Sequence, residues 1–157
     1  MILFYYVLAL VIIGLDQWTK YLVDVHMEIG ESIPLIEGLA YLTSHRNQGA
    51  AFGILQGQMW LFFIITVGVV IAIFYYMQKY GKESIWIGLP LGLVLGGAIG
   101  NFIDRLFRGE VIDFMDVYIF AYNFPIFNVA DSALVVGVIA LIIKMMADER
   151  KEKKEQA

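Results

Sequence analysis

The chain has 157 residues, of which 60% are hydrophobic and only 17% are charged. A soluble domain has closer to half apolar and a quarter charged residues, so this composition predicts lipid as the surrounding solvent. The net charge of -4 is small and gives no indication of a nucleic-acid partner. The absence of cysteine excludes disulfides, thiol catalysis and cysteine-ligated zinc.

Four segments are long and apolar enough to cross a bilayer, which takes about 20 helical residues. The first lacks the basic n-region of a signal peptide, so we expect it to remain as a helix. The second and third contain no charged residue, and the fourth contains only Asp131. The predicted spans cover residues 2–23, 59–78, 84–103 and 124–143 of a single integral membrane domain.

An even number of spans places both termini on one side, and the lysines and arginines indicate which side. Seven of the eleven basic residues lie in two short segments, the turn after the second span and the C-terminal tail. We therefore expect both termini in the cytoplasm. The segments of about 24–58 and 104–123 would then face outward.

The two outer segments contain short stretches typical of β-strands. Residues 39–45 and 110–120 are rich in β-branched and aromatic side chains. Residues 49–53 are small and apolar and suit close packing on the bilayer or a span. The predicted fold is an all-α membrane protein of four transmembrane helices, with a small β-containing cap on the outer face.

The third span carries glycines at a spacing of four, which places them on one helical face. Such a face allows close approach of a neighbouring helix, so we expect this span at the centre of the bundle. Pro125 fits the first turn of the fourth span, where its missing N–H has no cost. The glycines are Gly88, Gly92, Gly96 and Gly100.

Polar residues gather at one depth once the chain direction is taken into account. Spans one and three run outward and span four runs inward, so the ends of the first two and the start of the last lie level. Ionisable residues at membrane depth are costly and usually functional, so this layer is a candidate site. Its members are Asp16, Asn47, Asn101, Asp104, Arg105, Asn128 and Asp131.

Some of these residues have simpler interpretations. Asp16 could form an interfacial salt bridge with Lys20, four residues further on. Asp104 and Arg105 could be ordinary polar residues that end a span. Asn128 could cap backbone carbonyl groups. The pattern alone leaves these alternatives open.

Carboxylates are the evident catalytic groups, and two of them brought close together share a proton. The ionised partner can take a proton from water while the protonated partner polarises a carbonyl, which suits amide hydrolysis. Asp131 is a lone carboxylate on an apolar span, whereas Asp113 and Asp116 are equally plausible as its partner. The alternative is a small proton-coupled transporter, although its carboxylates should lie near the bilayer midplane.

Five sequence blocks together resemble the bacterial lipoprotein signal peptidases, also called signal peptidase II. They occur in that family's order and cover essentially the whole chain. The blocks are DQWTK at 16–20, HRNQGAAFG at 45–53, GAIGNFIDR at 97–105, GEVIDF at 109–114 and FNVADS at 127–132.

The resemblance implies an intramembrane aspartic endopeptidase in the bacterial cytoplasmic membrane, with its active site toward the outer face. It would remove the signal peptide from diacylglyceryl-modified prolipoproteins by cutting before the lipidated cysteine, without a metal or cofactor. Its partners would be these prolipoproteins and membrane lipid. The resemblance implies Asp113 and Asp131 as the catalytic pair. Orienting roles are implied for Asp16, Asn47, Asn101, Arg105 and Asn128.

Overall fold

The computed structural model describes residues 1–49, 57–120 and 122–155, and four helices within them are long and apolar enough to cross a membrane. This number confirms the predicted count of spans. The last helix has 27 residues and is therefore about 40 Å long, so its charged end extends past a hydrocarbon core of about 30 Å. The helices are α1 (Ile2–His26), α2 (Met59–Tyr80), α3 (Ile85–Arg108) and α4 (Val129–Glu155).

The predicted start of the fourth span is wrong. Helix α4 begins at Val129 rather than at 124, and Pro125 lies before the helix instead of in its first turn. The apolar residues before Val129 continue the sheet: the Phe127 carbonyl accepts from the Met115 N–H at 2.8 Å, and the Phe127 N–H donates to the Met115 carbonyl at 3.1 Å. Apolarity alone could not separate this edge pairing from a helical turn.

A four-stranded antiparallel sheet connects the helices at one end of the bundle, in the order β1-β2-β3-β4. The strands predicted at 39–45 and 110–120 are confirmed as β2 (Ala40–Asn47) and β3 (Val111–Ile119). Two further strands, β1 (Ser32–Ile36) and β4 (Tyr122–Asn123), were not predicted. All residues of β1 and β4 are exposed, so neither strand has the alternating pattern that identifies a half-buried strand. Residues 50–53 of the predicted packing segment lie outside the described residues.

Helix α3 forms the centre of the bundle, as its glycines predict. It has twelve buried residues, against two in α2. A Cβ at Gly88 would lie 2.1 Å from the Tyr5 ring of α1, and one at Gly96 would lie 2.7 Å from the Cβ of Ile12. The glycine face therefore allows α1 and α3 to pack almost backbone to backbone. The prediction of close helix approach is confirmed.

Candidate active site

Strand β3 carries Asp113 into the interior at the sheet end of the bundle, where its side chain is 1% exposed. Each of its carboxylate oxygens accepts a hydrogen bond from an amide side chain. Asn47 of β2 donates to Oδ2 at 2.9 Å, and Asn128 donates to Oδ1 at 2.6 Å. The carboxyl group is therefore fixed in orientation by two neutral donors.

Asp131 lies in the first turn of α4, where it forms a reciprocal cap with Asn128. The Asn128 side-chain oxygen accepts from the Asp131 N–H at 2.9 Å, and Asp131 Oδ2 accepts from the Asn128 N–H at 3.2 Å. This arrangement is a capping box, which satisfies helix N–H groups that would otherwise lack partners. Asn101 of α3 donates to the second oxygen, Oδ1, at 2.7 Å.

Asn128 connects the two carboxylates. Its oxygen accepts from the Asp131 N–H. The two N–H groups of its amide face three acceptors, which are Asp113 Oδ1 at 2.6 Å, Asn101 Oδ1 at 3.1 Å and the Ile112 carbonyl at 3.3 Å. It is fully buried. Asn128 does bond a backbone carbonyl, that of Ile112, but its side chain also caps the Asp131 N–H and orients Asp113.

A buried ion-pair cluster stands behind this pair. The ammonium group of Lys20 lies 2.7 Å from Asp16 and 2.9 Å from Asp104, and all three side chains are 0% exposed. Lys20 also donates to Asn101 Oδ1 at 2.9 Å. Asp16 accepts from the Ala130 N–H at 2.9 Å, so α1 helps to cap the start of α4.

The simple interpretation of Asp16 is therefore partly right: it pairs with Lys20, but in the interior rather than at an interface. Asp104 is not an ordinary polar residue at the end of a span, because it is fully buried and ion-paired. Sequence reasoning did not select Lys20 or Gln17 as site residues. Gln17 donates to Asp104 at 3.0 Å. The spacing of four between Asp16 and Lys20 was the one signal available for Lys20.

Both carboxylates line a cavity of about 600 Å³ between α3, α4 and the sheet. Asn47, Asn101 and Arg105 also line it, and its other wall is apolar and is formed by α4 and residues 124–127. Arg105 donates to the Gly49 carbonyl at 3.1 Å, and its guanidinium carbon lies 4.5 Å from the centre of the Phe62 ring. The cavity can therefore hold an apolar chain next to two acidic groups.

Asp116 does not reach this cavity. It lies three residues from Asp113 on the same strand, so its side chain points to the other face of the sheet. There it is 5% exposed and accepts a hydrogen bond from Thr43 at 3.0 Å. His45 of β2 is exposed. The structure therefore brings Asp113, and not Asp116, to the cavity of Asp131.

Burial and the nearby charge of Asp131 raise the pKa of Asp113 to about 7. Burial raises it because the ionised form loses its hydration, and Asp131 raises it because two negative charges repel. The two amide donors favour the ionised form but do not outweigh these effects. At neutral pH Asp113 can therefore hold a proton that an ordinary aspartate would have lost.

Four membrane-length helices and a cavity with two carboxylates define a multi-pass membrane protein with the groups needed for acid–base hydrolysis. Residues 8–147 match the family model of signal peptidase (SPase) II. The chain belongs to the signal peptidase II family, and it is therefore a protease of the bacterial membrane.

Relatives of known name agree with this family. The lipoprotein signal peptidase of Halalkalibacterium halodurans is 70% identical over 152 residues, which cover 97% of each chain. That of Bacillus subtilis is 59% identical over 152 residues, with 97% of this chain and 99% of the relative covered.

Two solved structures of a bacterial membrane enzyme, obtained by the in meso method at 2.3 and 1.9 Å resolution, are also similar. Each is 46% identical to this chain and covers 92% of it, with TM-scores of 0.89 and 0.85. The match covers 88% and 93% of those chains.

Proposed function

We propose that this protein is an intramembrane aspartic endopeptidase that removes the signal peptide from diacylglyceryl-modified prolipoproteins, cutting before the lipidated cysteine. The observation that carries the proposal is the shared cavity of Asp113 and Asp131, with Asn128 bonded to both. No basic side chain among the described residues donates a hydrogen bond to either carboxylate. Because no such cation holds them permanently ionised, the two carboxylates can take up and release protons.

In the proposed mechanism Asp131 is the ionised partner at rest and Asp113 is the protonated one. The first turn of α4 favours negative charge on Asp131, because the positive end of the helix dipole lies there and the Asn128 N–H donates to its carboxylate. Asp113 keeps its proton because its pKa is about 7. Asp131 takes a proton from the attacking water while Asp113 polarises the scissile carbonyl, and the proton gained then passes to the leaving amine.

The remaining polar residues hold this arrangement. Asn47 and Asn128 orient Asp113, Asn101 orients Asp131, and Asp16 supports the start of α4. Arg105 lines the same cavity, where its guanidinium can bind carbonyl oxygens of the substrate. None of these roles needs a metal or a cofactor.

The depth of the site suits a lipidated substrate. We propose that both termini are cytoplasmic and that the carboxylates lie near the outer face. A diacylglyceryl cysteine is held at that face because each buried methylene stabilises anchoring by about 0.8 kcal/mol. The scissile bond would then lie just inside the interface, level with Asp113 and Asp131.

The experiment that tests the proposal compares cleavage of diacylglyceryl-modified and unmodified prolipoprotein by the purified protein. We expect Asp113→Asn and Asp131→Asn to lower kcat by at least about a thousandfold. Asp116→Asn is the matched control, since Asp116 is also a buried carboxylate on β3 but faces away from the cavity. Full activity in either dyad variant, or equal loss in the control, would contradict the assignment.

The orientation can be tested separately because the chain contains no cysteine. Single cysteines at Glu37 and at Lys153 can be labelled with a maleimide that does not cross membranes. We expect labelling of intact spheroplasts at position 37 only. Labelling at 153 only would reverse the proposed orientation.

The transporter alternative receives no support. The family match is to a peptidase and covers the polar residues of the proposed site.

A further inference from the structure

The last two residues of β2 carry side chains that point in opposite directions. Asn47 faces the cavity and donates to Asp113 at 2.9 Å. Arg46 faces away from the cavity, because neighbouring residues of a strand lie on opposite faces of the sheet. On that other face its Nη2 lies 2.6 Å from Asp24 Oδ1, near the end of α1. The Arg46 side chain is 11% exposed, so most of this cation is covered by its neighbours.

Asp24 bridges two arginines that come from different elements. Its second oxygen, Oδ2, lies 2.5 Å from Nη1 of Arg108 at the end of α3. Arg46 also donates to the hydroxyl of Ser44, which is fully buried, and its Nε lies 3.9 Å from Glu110. Isolated ion pairs near a surface contribute little, but a carboxylate that takes one guanidinium on each oxygen belongs to a network. This network joins α1, β2 and α3 at one point.

The end of β2 needs such an anchor because the strand is irregular. The register of its pairing with β3 shifts between Leu42 and His45, where β2 advances by three residues and β3 by two. The pairing before this shift therefore does not place the residues after it. A slip of one residue in that short final part would turn Asn47 to the opposite face and away from Asp113. Arg46 lies in this final part and fixes it from the side of α1.

We propose that Arg46 is a positioning residue that acts through Asn47. Its ion pair with Asp24 holds the end of β2 where the Asn47 amide reaches Asp113. The Gly49 N–H donates to Asn47 Oδ1 at 2.9 Å, which turns the amide nitrogen toward Asp113. Arg46 adds the position of the backbone that carries this amide. The inference rests on the proposed function, because it takes Asp113 as a catalytic residue.

The test measures kcat and KM on diacylglyceryl-modified prolipoprotein for variants of the two arginines that meet at Asp24. Arg46→Gln removes the ion pair on β2. Arg108→Gln is the matched control, because it removes the arginine of α3 from the same carboxylate without releasing the strand. Arg46→Lys keeps a positive charge next to Asp24. Arg46→Gln is also combined with Asn47→Ala.

We expect Arg46→Gln to lower kcat about tenfold and to leave KM within about twofold, because displacement of a group at the dyad acts on the chemical step. Arg46→Lys should retain most of the wild-type rate, and Arg108→Gln should keep kcat within about twofold of it. In the Asn47→Ala background Arg46→Gln should cause no further loss, because a residue that acts through Asn47 then has no side chain to position.

An equal fall in kcat with and without the Asn47 side chain would mean that Arg46 only stabilises the fold. An unchanged kcat in Arg46→Gln would mean that β2 needs no anchor, and each of these two results overturns the inference. If circular dichroism in detergent shows that Arg46→Gln does not fold, Asp24→Ala takes its place with the same expected results, because it removes the partner carboxylate and leaves Arg46 present. The proposed function fails separately, if Asp113→Asn cleaves as fast as the wild type.

Discussion

Two groups of buried acidic side chains lie next to each other in this protein, and they are treated in opposite ways. Asp16 and Asp104 share the ammonium group of Lys20 at 2.7 and 2.9 Å. Asp113 and Asp131 have only amide and backbone donors as hydrogen-bond partners among the described residues. In the first group the Lys20 ammonium neutralises much of the negative charge of the two carboxylates. In the second group a proton on Asp113 lowers the negative charge instead. The acids paired with a lysine therefore stabilise the helix bundle, whereas the acids without such a partner are available for acid–base chemistry.

The largest effect on stability is expected when the Lys20 ammonium group is removed from between Asp16 and Asp104. Lys20→Met removes the ammonium group from two buried carboxylates and leaves Asp104 with the Arg108 guanidinium at 3.8 Å. Breaking a buried pair in this way costs about 3–5 kcal/mol of unfolding free energy. Unfolding in detergent micelles, followed by circular dichroism, measures this loss.

The control for that prediction is Lys153→Met. This lysine side chain is 73% exposed, and its one ion pair among the described residues is with Glu149 in the same helix. Exposed pairs of this kind contribute little. If Lys20→Met unfolded no more easily than the control, the cluster would not be a structural element.

Asp113 should make the stability of the protein depend on pH. The pKa of Asp113 is about 7 in the folded protein, against 3.8 for an ordinary aspartate, so the folded state binds this proton more tightly. Its contribution to stability is complete below pH 3.8 and is lost as the pH rises through about 7. Asp113→Asn removes this contribution, so its unfolding free energy should fall less between pH 4 and pH 7.5 than that of the wild type.

The expected difference is on the order of a few kcal/mol across that interval. Parallel curves for Asp113→Asn and wild type would contradict the raised pKa. The same titration predicts that kcat/KM falls above about pH 7, as the free enzyme loses the proton of the dyad.

The sequence predicted the layer of polar residues because chain direction alone sets the depth of each span end. It did not predict which members would pair. Lys20 reaches Asp104 and Asn101 across two helices, and this depends on the rotation of α1 against α3, which no local pattern reports. Its role as the central cation was missed for that reason.

The sequence pattern could not decide between Asp113 and Asp116 either, because that choice also depends on how the elements pack. Residues three apart on a strand face opposite sides, so the sequence indicates that only one can enter the site, but the inward face depends on packing against the helices. The family resemblance implied Asp113, and the structure places that residue in the cavity. The start of α4 was misplaced because an apolar segment that extends a sheet has the same composition as one that begins a span.

The smallest effect on unfolding free energy is expected for Gly100→Ala, at the glycine that lets α1 pack closely on α3 between the two groups of acids. A Cβ at Gly100 would lie 2.7 Å from Asp16 Oδ2 and 3.2 Å from the Cβ of Ala130. Gly100→Ala would therefore push α1 away from α3 and weaken the Asp16 contacts at the start of α4. We expect a loss of about 1–3 kcal/mol in unfolding free energy, as for other overpacked interiors.

Gly68→Ala is the control, because a Cβ at that position of α2 would meet no atom of the described residues within 4 Å. Activity should fall further than stability in Gly100→Ala, since displacement of α4 moves Asp131 relative to Asp113, and a shift of about 1 Å can cost about a hundredfold in rate. Loss of stability without loss of rate would mean that the ion-pair cluster and the dyad are mechanically independent. Equal behaviour of the two alanine variants would mean that close packing of α1 on α3 supports neither group.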